Sequence, residues 1–221
     1  MNNDFCLRLV SLDVEEEEIH ELLCVPQVYE YLADGVEPAP SIARDWIRQS
    51  ADDFDRFGGG LWALESAWRH QILGLTRLSD FDDGELQLTY LLHPSIWGRG
   101  YATRMAHTAM NRAFTTRVAT SVWAGADVAN EASVSVLKHL GMSFRRDVDY
   151  PAGPGVEYVM TAAAFDDRRF DPLPVVSQSD PSEGHGARVC ENTGQQGIAR
   201  NPLFHRWREP AHDPHHRRFQ P

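Results

Sequence analysis

Gly98 and Gly100 sit in the stretch whose residue types point most directly to chemistry. It reads Tyr90-Leu-Leu-His-Pro-Ser-Ile-Trp-Gly-Arg-Gly-Tyr-Ala-Thr103. Leu86, Leu88, Tyr90 and Leu92 alternate onto one face of a strand. Pro94 then stops the ladder. Beyond the glycines, Ala102, Met105, Ala106, Ala109, Met110 and Ala113 fall at helical spacing and form one apolar stripe. A strand, a glycine turn and a helix N-terminus together present outward N–H groups at the positive end of a helix dipole. The glycines place no side chain between those amides and an anion, so a pyrophosphate is the ligand to expect. A glycine pair before a helix also serves an ordinary turn. Arg99 and Arg104 flank the turn, either as surface arginines or as a source of local positive charge. A P-loop is excluded, because no G-x-x-x-x-G-K-[ST] occurs and Lys138 is the only lysine. No G-x-G-x-x-G is followed by an acidic residue at the spacing of a dinucleotide fold.

Trp97-Gly-Arg-Gly-Tyr-Ala-Thr103 resembles the acetyl-CoA loop of the GNAT acetyltransferases, and is closest to the RimJ/RimL-like subgroup, whose loop reads W-G-x-G-Y-A-T. Downstream, Asn130-Glu-Ala-Ser-Val-Ser-Val-Leu-Lys-His-Leu-Gly-Met142 is similar to the subgroup's N-x-x-S-x-x-V-L-x-x-L-G-F. The resemblance covers about residues 5 to 165. It implies a mixed, splayed β-sheet with helices on both faces, an α/β (α+β) fold. It also implies acetyl-CoA as co-substrate, with no metal, and direct attack on its thioester by a primary amine. Gly98, Arg99, Gly100, Tyr101, Ala102 and Thr103 would grip the pyrophosphate. Leu91 and Leu92 would line the pantetheine arm with backbone, and an N–H near Leu92 would hold the oxyanion.

The same resemblance makes Asn130 a contact to the pantetheine arm and Ser133 the proton donor to the departing thiolate. Both also suit a helix start, as N-cap and first-turn residue. Many relatives place a tyrosine seven residues after that asparagine; here the position is Leu137. No strong base stands out, since the strand position that carries an acid in some relatives falls near Gly125. Asp127, His93, Asp149 and Glu157 are the remaining acid–base candidates. Trp46 and Trp62 read as core aromatics, and Trp97 as packing under the loop or shielding the ligand.

The elements that must hold these residues follow in the order β-α-α-β-β-β-α-β-α-β-β. A strand over Cys6–Leu12 leads to a helix capped by Asp13 and running to about Cys24; Pro26 interrupts it and Gln27–Ala33 resumes. Ser41 opens the next helix. Strands follow at Leu61–Ser66, Gln71–Ser79 and Glu85–His93, then a helix at Tyr101–Thr116. Val118–Ala124 reads as a strand, Glu131–Leu140 as a helix stopped by Gly141, and Met142–Tyr150 with Val156–Ala162 as a final strand pair. The early helices are acidic, with Glu15 to Glu18, Glu21, Glu30 and Asp34 among their residues. That rim would attract a cationic amine, or is simply a solvated face.

The domain is expected over 1–169. The tail, 170–221, holds seven of 13 prolines and five of 10 histidines without apolar periodicity, and is expected to be disordered or loosely attached. Its His212, Asp213, His215 and His216 suit a solvated tail better than a metal site. Across 221 residues, 42% are hydrophobic, which supports one real core. No run approaches a membrane span, and no secretory signal precedes the first strand. Three scattered cysteines make neither a disulfide framework nor a zinc site, so a cytoplasmic setting is expected. A net charge of -11 argues against general nucleic-acid binding. The expected partner is an amine, either a protein N-terminus or a small molecule such as a polyamine, an amino acid derivative or an aminoglycoside, handled by a monomer or homodimer. The alternative from another class is a non-catalytic acyl-CoA-binding module.

Overall fold

A computed structural model describes residues 5–10, 16–32, 35–57, 59–66, 71–82, 84–116, 118–151 and 153–176. Eight strands form one mixed sheet in the order β6-β7-β5-β4-β3-β2-β1-β8. The strands are β1 (Phe5–Leu9), β2 (Gly60–Ser66), β3 (Ile72–Asp82), β4 (Glu85–Leu92), β5 (Ser121–Asp127), β6 (Ser143–Tyr150), β7 (Gly153–Thr161) and β8 (Val175–Val176). The helices are α1 (Glu16–Leu23), α2 (Pro26–Tyr29), α3 (Ser41–Phe57), α4 (Tyr101–Thr115) and α5 (Glu131–His139).

Alternation along the strands divides the core. Leu61, Ala63, Leu75 and Leu91 face one way and pack against Ile19, Leu22 and Leu23 of α1 and Ala43, Trp46 and Ile47 of α3. Leu86 and Leu88 face the other way, against Ala106, Ala109 and Met110 of α4 and Leu137 of α5. Helices therefore cover both faces, as the resemblance implies. Gly74 fits this arrangement because a Cβ there would run into the Leu92 side chain.

Several boundaries move for physical reasons. Pro26 starts α2, where its missing N–H costs nothing, but only four residues are helical. Residues 118–120 finish the exit from α4, with the Val118 N–H on Ala113 O and the Thr120 N–H on Gly84 O, so β5 begins at Ser121. The Asp13 cap lies outside the described residues.

The packed chain also continues past residue 169. His107 of α4 is buried, stacks on Phe165 at 4.8 Å and bonds through Nε2 to Asp166 O at 2.9 Å. The Leu173 side chain is buried, and its N–H donates to Thr108 Oγ1 at 3.1 Å. β8 then pairs parallel to β1, with Leu7 N–H on Pro174 O at 2.7 Å. Residues 170–176 thus belong to the packed unit, and the tail histidines lie outside the described residues. No described helix is long and apolar enough to cross a membrane.

One ion pair is buried on the α3 side of the sheet. Arg77 Nη2 donates to Asp53 Oδ2 at 2.8 Å, with side-chain exposures of 1% and 3%. Burial pulls the Arg77 guanidinium below its ordinary pKa, and Asp53 acts in the opposite sense. Removing one charge takes from the other its 2.8 Å partner in a dry site. Asp53→Ala should therefore destabilise the fold by about 3–5 kcal/mol in urea denaturation, whereas Asp53→Leu combined with Arg77→Met should recover most of that loss.

Candidate active site

β4 ends at Leu92, and the chain enters a single 3-10 turn over Pro94–Ile96. His93 caps that turn, its Nδ1 accepting from the Ser95 N–H at 3.2 Å. Trp97 follows, half exposed, and its indole N–H donates to Leu92 O at 2.7 Å. The indole thus clamps the loop to the strand end, a more specific role than shielding. Gly98 and Gly100 take φ values of 72° and 77°, a left-handed backbone that side chains resist. A Cβ on either would meet nothing within 4 Å. Packing therefore does not explain these glycines. Backbone shape does, and the turn it makes faces open space.

Gly100 is the N-cap of α4 and offers no side-chain cap. Among the described residues, no backbone or side-chain acceptor takes the N–H of Gly98, Arg99, Gly100, Tyr101, Ala102 or Thr103. Four of these donors, Gly100 to Thr103, form the positive end of a 15-residue helix, and Gly98 and Arg99 precede them in the turn. Tyr101 fixes the helix start by stacking edge-on against Phe5 at 4.6 Å. Arg99 is exposed beside the donors. Arg104 turns away instead, donating through Nε to Asp171 O at 3.0 Å.

Beside this cradle the sheet opens. β4 and β5 pair in parallel only from Glu85 to Gln87 against Ser121 to Trp123. The backbone of β4 beyond that point faces β3 on one side and the gap on the other. His93 N–H donates to Leu73 O at 2.8 Å, and β3 pairs Gly74 with Leu92 and Leu75 with Leu91. Hydrogen-bonded and non-bonded pairs alternate in an antiparallel ladder, so Leu91 spends its backbone groups on β3. Tyr90 and Leu92 turn theirs to the gap. In this register the backbone groups turned to the gap are those of Tyr90 and Leu92, and the Leu92 carbonyl is already taken by Trp97.

Across the gap stands the first turn of α5. Asn130 Oδ1 accepts the Ser133 N–H at 3.1 Å, so Asn130 is the N-cap. The Tyr90 hydroxyl lies 2.8 Å from Ser133 Oγ and 3.1 Å from Ser133 O, with one proton to give to either. Burial raises the Tyr90 phenol above its ordinary pKa, opposed by the hydrogen bond with Ser133. Leu137 is fully buried in the core and does not face the gap as a polar group would. Tyr90 was legible only as an apolar-face residue of β4, and nothing in the spacing shows that it reaches α5.

The opposite side of the sheet carries a second polar group of residues. Glu157 pairs with Gly125 across the ladder, but Arg146 holds its carboxylate at 2.8 and 2.9 Å. His93 has its Nδ1 engaged by Ser95, and Asp149 is exposed on β6. Of the four acid–base candidates, Asp127 acts on two tyrosines. Tyr150 is pushed up from its ordinary pKa first by burial, then by Glu157 and Asp127. Tyr31 is raised first by Glu30, and further by burial and Asp127. The Tyr150 hydroxyl fills the space over Gly125, where any Cβ would collide with it. No three described His, Cys, Asp or Glu side chains gather as metal ligands.

A sequence profile described as an acetyltransferase (GNAT) domain matches residues 5–143, more than half of the chain. The chain therefore belongs to the GNAT acetyltransferase family. Solved structures share the fold at low identity. Spermidine N-acetyltransferase from Vibrio cholerae, in complex with CoA and spermine, is 14% identical with a TM-score of 0.63, covering 74% of this chain and 98% of its own. An aminoglycoside acetyltransferase in complex with coenzyme A is 18% identical with a TM-score of 0.61, covering 75% and 99%. The ribosomal L7/L12 alpha-N-protein acetyltransferase RimL, in complex with coenzyme A, is 12% identical with a TM-score of 0.63, covering 72% and 95%.

Gly125→Ala should displace the Tyr150 ring and lower stability by about 1–3 kcal/mol through overpacking. Urea denaturation measures the loss, and Gly125→Ala with Tyr150→Ala should regain part of it.

Proposed function

We propose that this chain transfers the acetyl group of acetyl-CoA to a primary amine by direct attack, with the α-amine of a protein as the preferred acceptor, in the manner of the RimJ/RimL-like subgroup. The observation that carries this reading is the row of six N–H groups at Gly98–Thr103 with no acceptor among the described residues, following the end of a β4 strand that pairs with β5 only at Glu85–Gln87. A pyrophosphate suits those donors, and an extended pantetheine arm suits the gap, where it would lie beside β4 as an added strand. The residues assigned to the ligand are Gly98, Arg99, Gly100, Tyr101, Ala102 and Thr103 for phosphate, Tyr90 and Leu92 for the arm, and Asn130 through the amide group left free of its cap. The Leu92 N–H is placed to stabilise the oxyanion. Ser133 is assigned the hydrogen bond to the departing sulfur.

Acceptor preference follows from proton chemistry. An α-amine with a pKa near 7.7–8.0 is roughly a quarter neutral close to neutral pH, but a lysine amine near 10.4 is only about a thousandth neutral. With Glu157 held by arginine and His93 engaged as a cap, the candidate bases left are the carboxylates of Asp127 and Asp149, and a carboxylate is a weak base. Such a site favours the amine that needs least help. Small polycations are the second reading, favoured by Glu30 and Asp127 around the two tyrosines. Free Cys6 and Cys24 suit a cytoplasmic setting.

Titration calorimetry with CoA tests the ligand. Gly100→Val should weaken binding at least about tenfold, by straining a positive φ and crowding the donors, while the protein stays folded. Thiol release from acetyl-CoA with N-terminal peptides, polyamines and aminoglycosides tests the acceptor. For a peptide the rate should rise with pH, reach half its maximum near pH 7.7–8.0 and level off about one unit higher, as the α-amine loses its proton. CoA binding with no turnover on any amine would instead identify a binding module.

A further inference from the structure

We infer that Tyr90 is a positioning residue that aims the Ser133 hydroxyl at the departing sulfur, supplying from β4 what α5 lacks at Leu137. This rests on the acetyl-CoA reading above and deepens it.

Ser133 is held at three atoms. Its N–H bonds to Asn130 Oδ1 at 3.1 Å, and the single phenol proton of Tyr90 is within reach of both its hydroxyl oxygen at 2.8 Å and its carbonyl oxygen at 3.1 Å. A first-turn serine without such partners turns its hydroxyl back onto its own helix or cap. Tyr90 reaches it from the β4 face that also carries Leu88 and Leu92, across the mouth of the gap. Phenol and serine have two ways to share protons. The phenol donates to Ser133 Oγ, which sends the serine proton outward. Otherwise the phenol proton goes to Ser133 O, the serine donates to the phenol oxygen, and the serine has nothing to offer the gap. The proposal requires the first.

Tyr90 does not itself donate to the sulfur. Burial lifts its pKa above the ordinary value of about 10, whereas a thiol titrates near 8.5, so a thiolate has no call on that proton. In the reaction, the N–C bond forms, the C–S bond breaks with its electron pair passing to sulfur, and the proton lost by nitrogen ends on sulfur. Ser133 holds the thiolate by a hydrogen bond during that exchange and leaves it in its original protonation state, so no further reactant is needed.

The bound product reports this contact without an acceptor amine. A hydrogen bond to the thiolate lowers the pKa of the CoA thiol, and the thiolate is read by its ultraviolet absorbance. With the full chain saturated with CoA, Ser133→Ala should raise that pKa by roughly one unit. Tyr90→Phe should give half or more of that rise, with CoA affinity changed less than threefold (~0.7 kcal/mol). Tyr90→Met, which fills the space without a hydroxyl, carries the same expectation if the phenylalanine variant does not fold. The double variant should match Ser133→Ala alone, because both act through one contact. A Tyr90 variant that leaves the thiol pKa unchanged or lowers it, or a double variant showing the sum of the two shifts, overturns the role of Tyr90 and leaves the acetyl-CoA reading standing. Failure of the unaltered protein to bind CoA in calorimetry overturns the acetyl-CoA reading, and the role of Tyr90 with it.

Discussion

Two parallel strands that part after three paired positions leave main-chain donors and acceptors with nothing opposite them. Buried groups of that kind cost free energy until something bonds to them, so a gap of this sort persists only where its surroundings hold it open. Here the support is visible on both sides. β4 is fastened along its length to β3, and its end is tied down by the indole of Trp97. β5 is fastened to β7 over seven pairs. The apolar faces of both strands pack on α4 and α5, which fixes how far apart they stand. Every residue assigned to the site is placed relative to this opening.

Much of this was legible in the chain itself. The spacing Trp97-Gly-Arg-Gly-Tyr101 and the apolar stripe after it mark both the turn and the helix, because local backbone demands dictate residue type there. The Asn130 cap is legible for the same reason. What could not be read is which edge of a strand each backbone group faces. Side-chain alternation gives the face of Leu91 and Leu92, but the in-plane direction of their N–H groups depends on the register with β3, a partner distant in sequence. That is why spacing alone does not separate Leu91 from Tyr90 and Leu92 at the gap. Tyr150 escapes for a similar reason: its position over Gly125 depends on the β6–β7–β5 register and on glycines at 125 and 155 that make room for the ring.

The helix that carries the donors is tied down from behind as well as from within. His107 lies between Phe165 and Phe170, at 4.8 and 5.3 Å, while Arg104 and Thr108 hold the backbone of residues 171 and 173. These contacts act over one helix face across several turns, far more than a single surface bond would provide. They set the tilt of α4, and with it the direction in which its N-terminal amides point.

The pairing of β8 with β1 matters for a hazard shared by all open sheets. A terminal strand with bare amides and carbonyls invites another chain to add itself, and the outcome is precipitation. Two valines and a proline carbonyl here cover Leu7 and Arg8, capping that margin with the molecule's own sequence. A protein shortened to end at residue 169 would keep every residue of the cradle and gap, yet lose this guard together with the contacts of residues 170–173 on α4. Its poor solubility could then be mistaken for a defect in the catalytic fold.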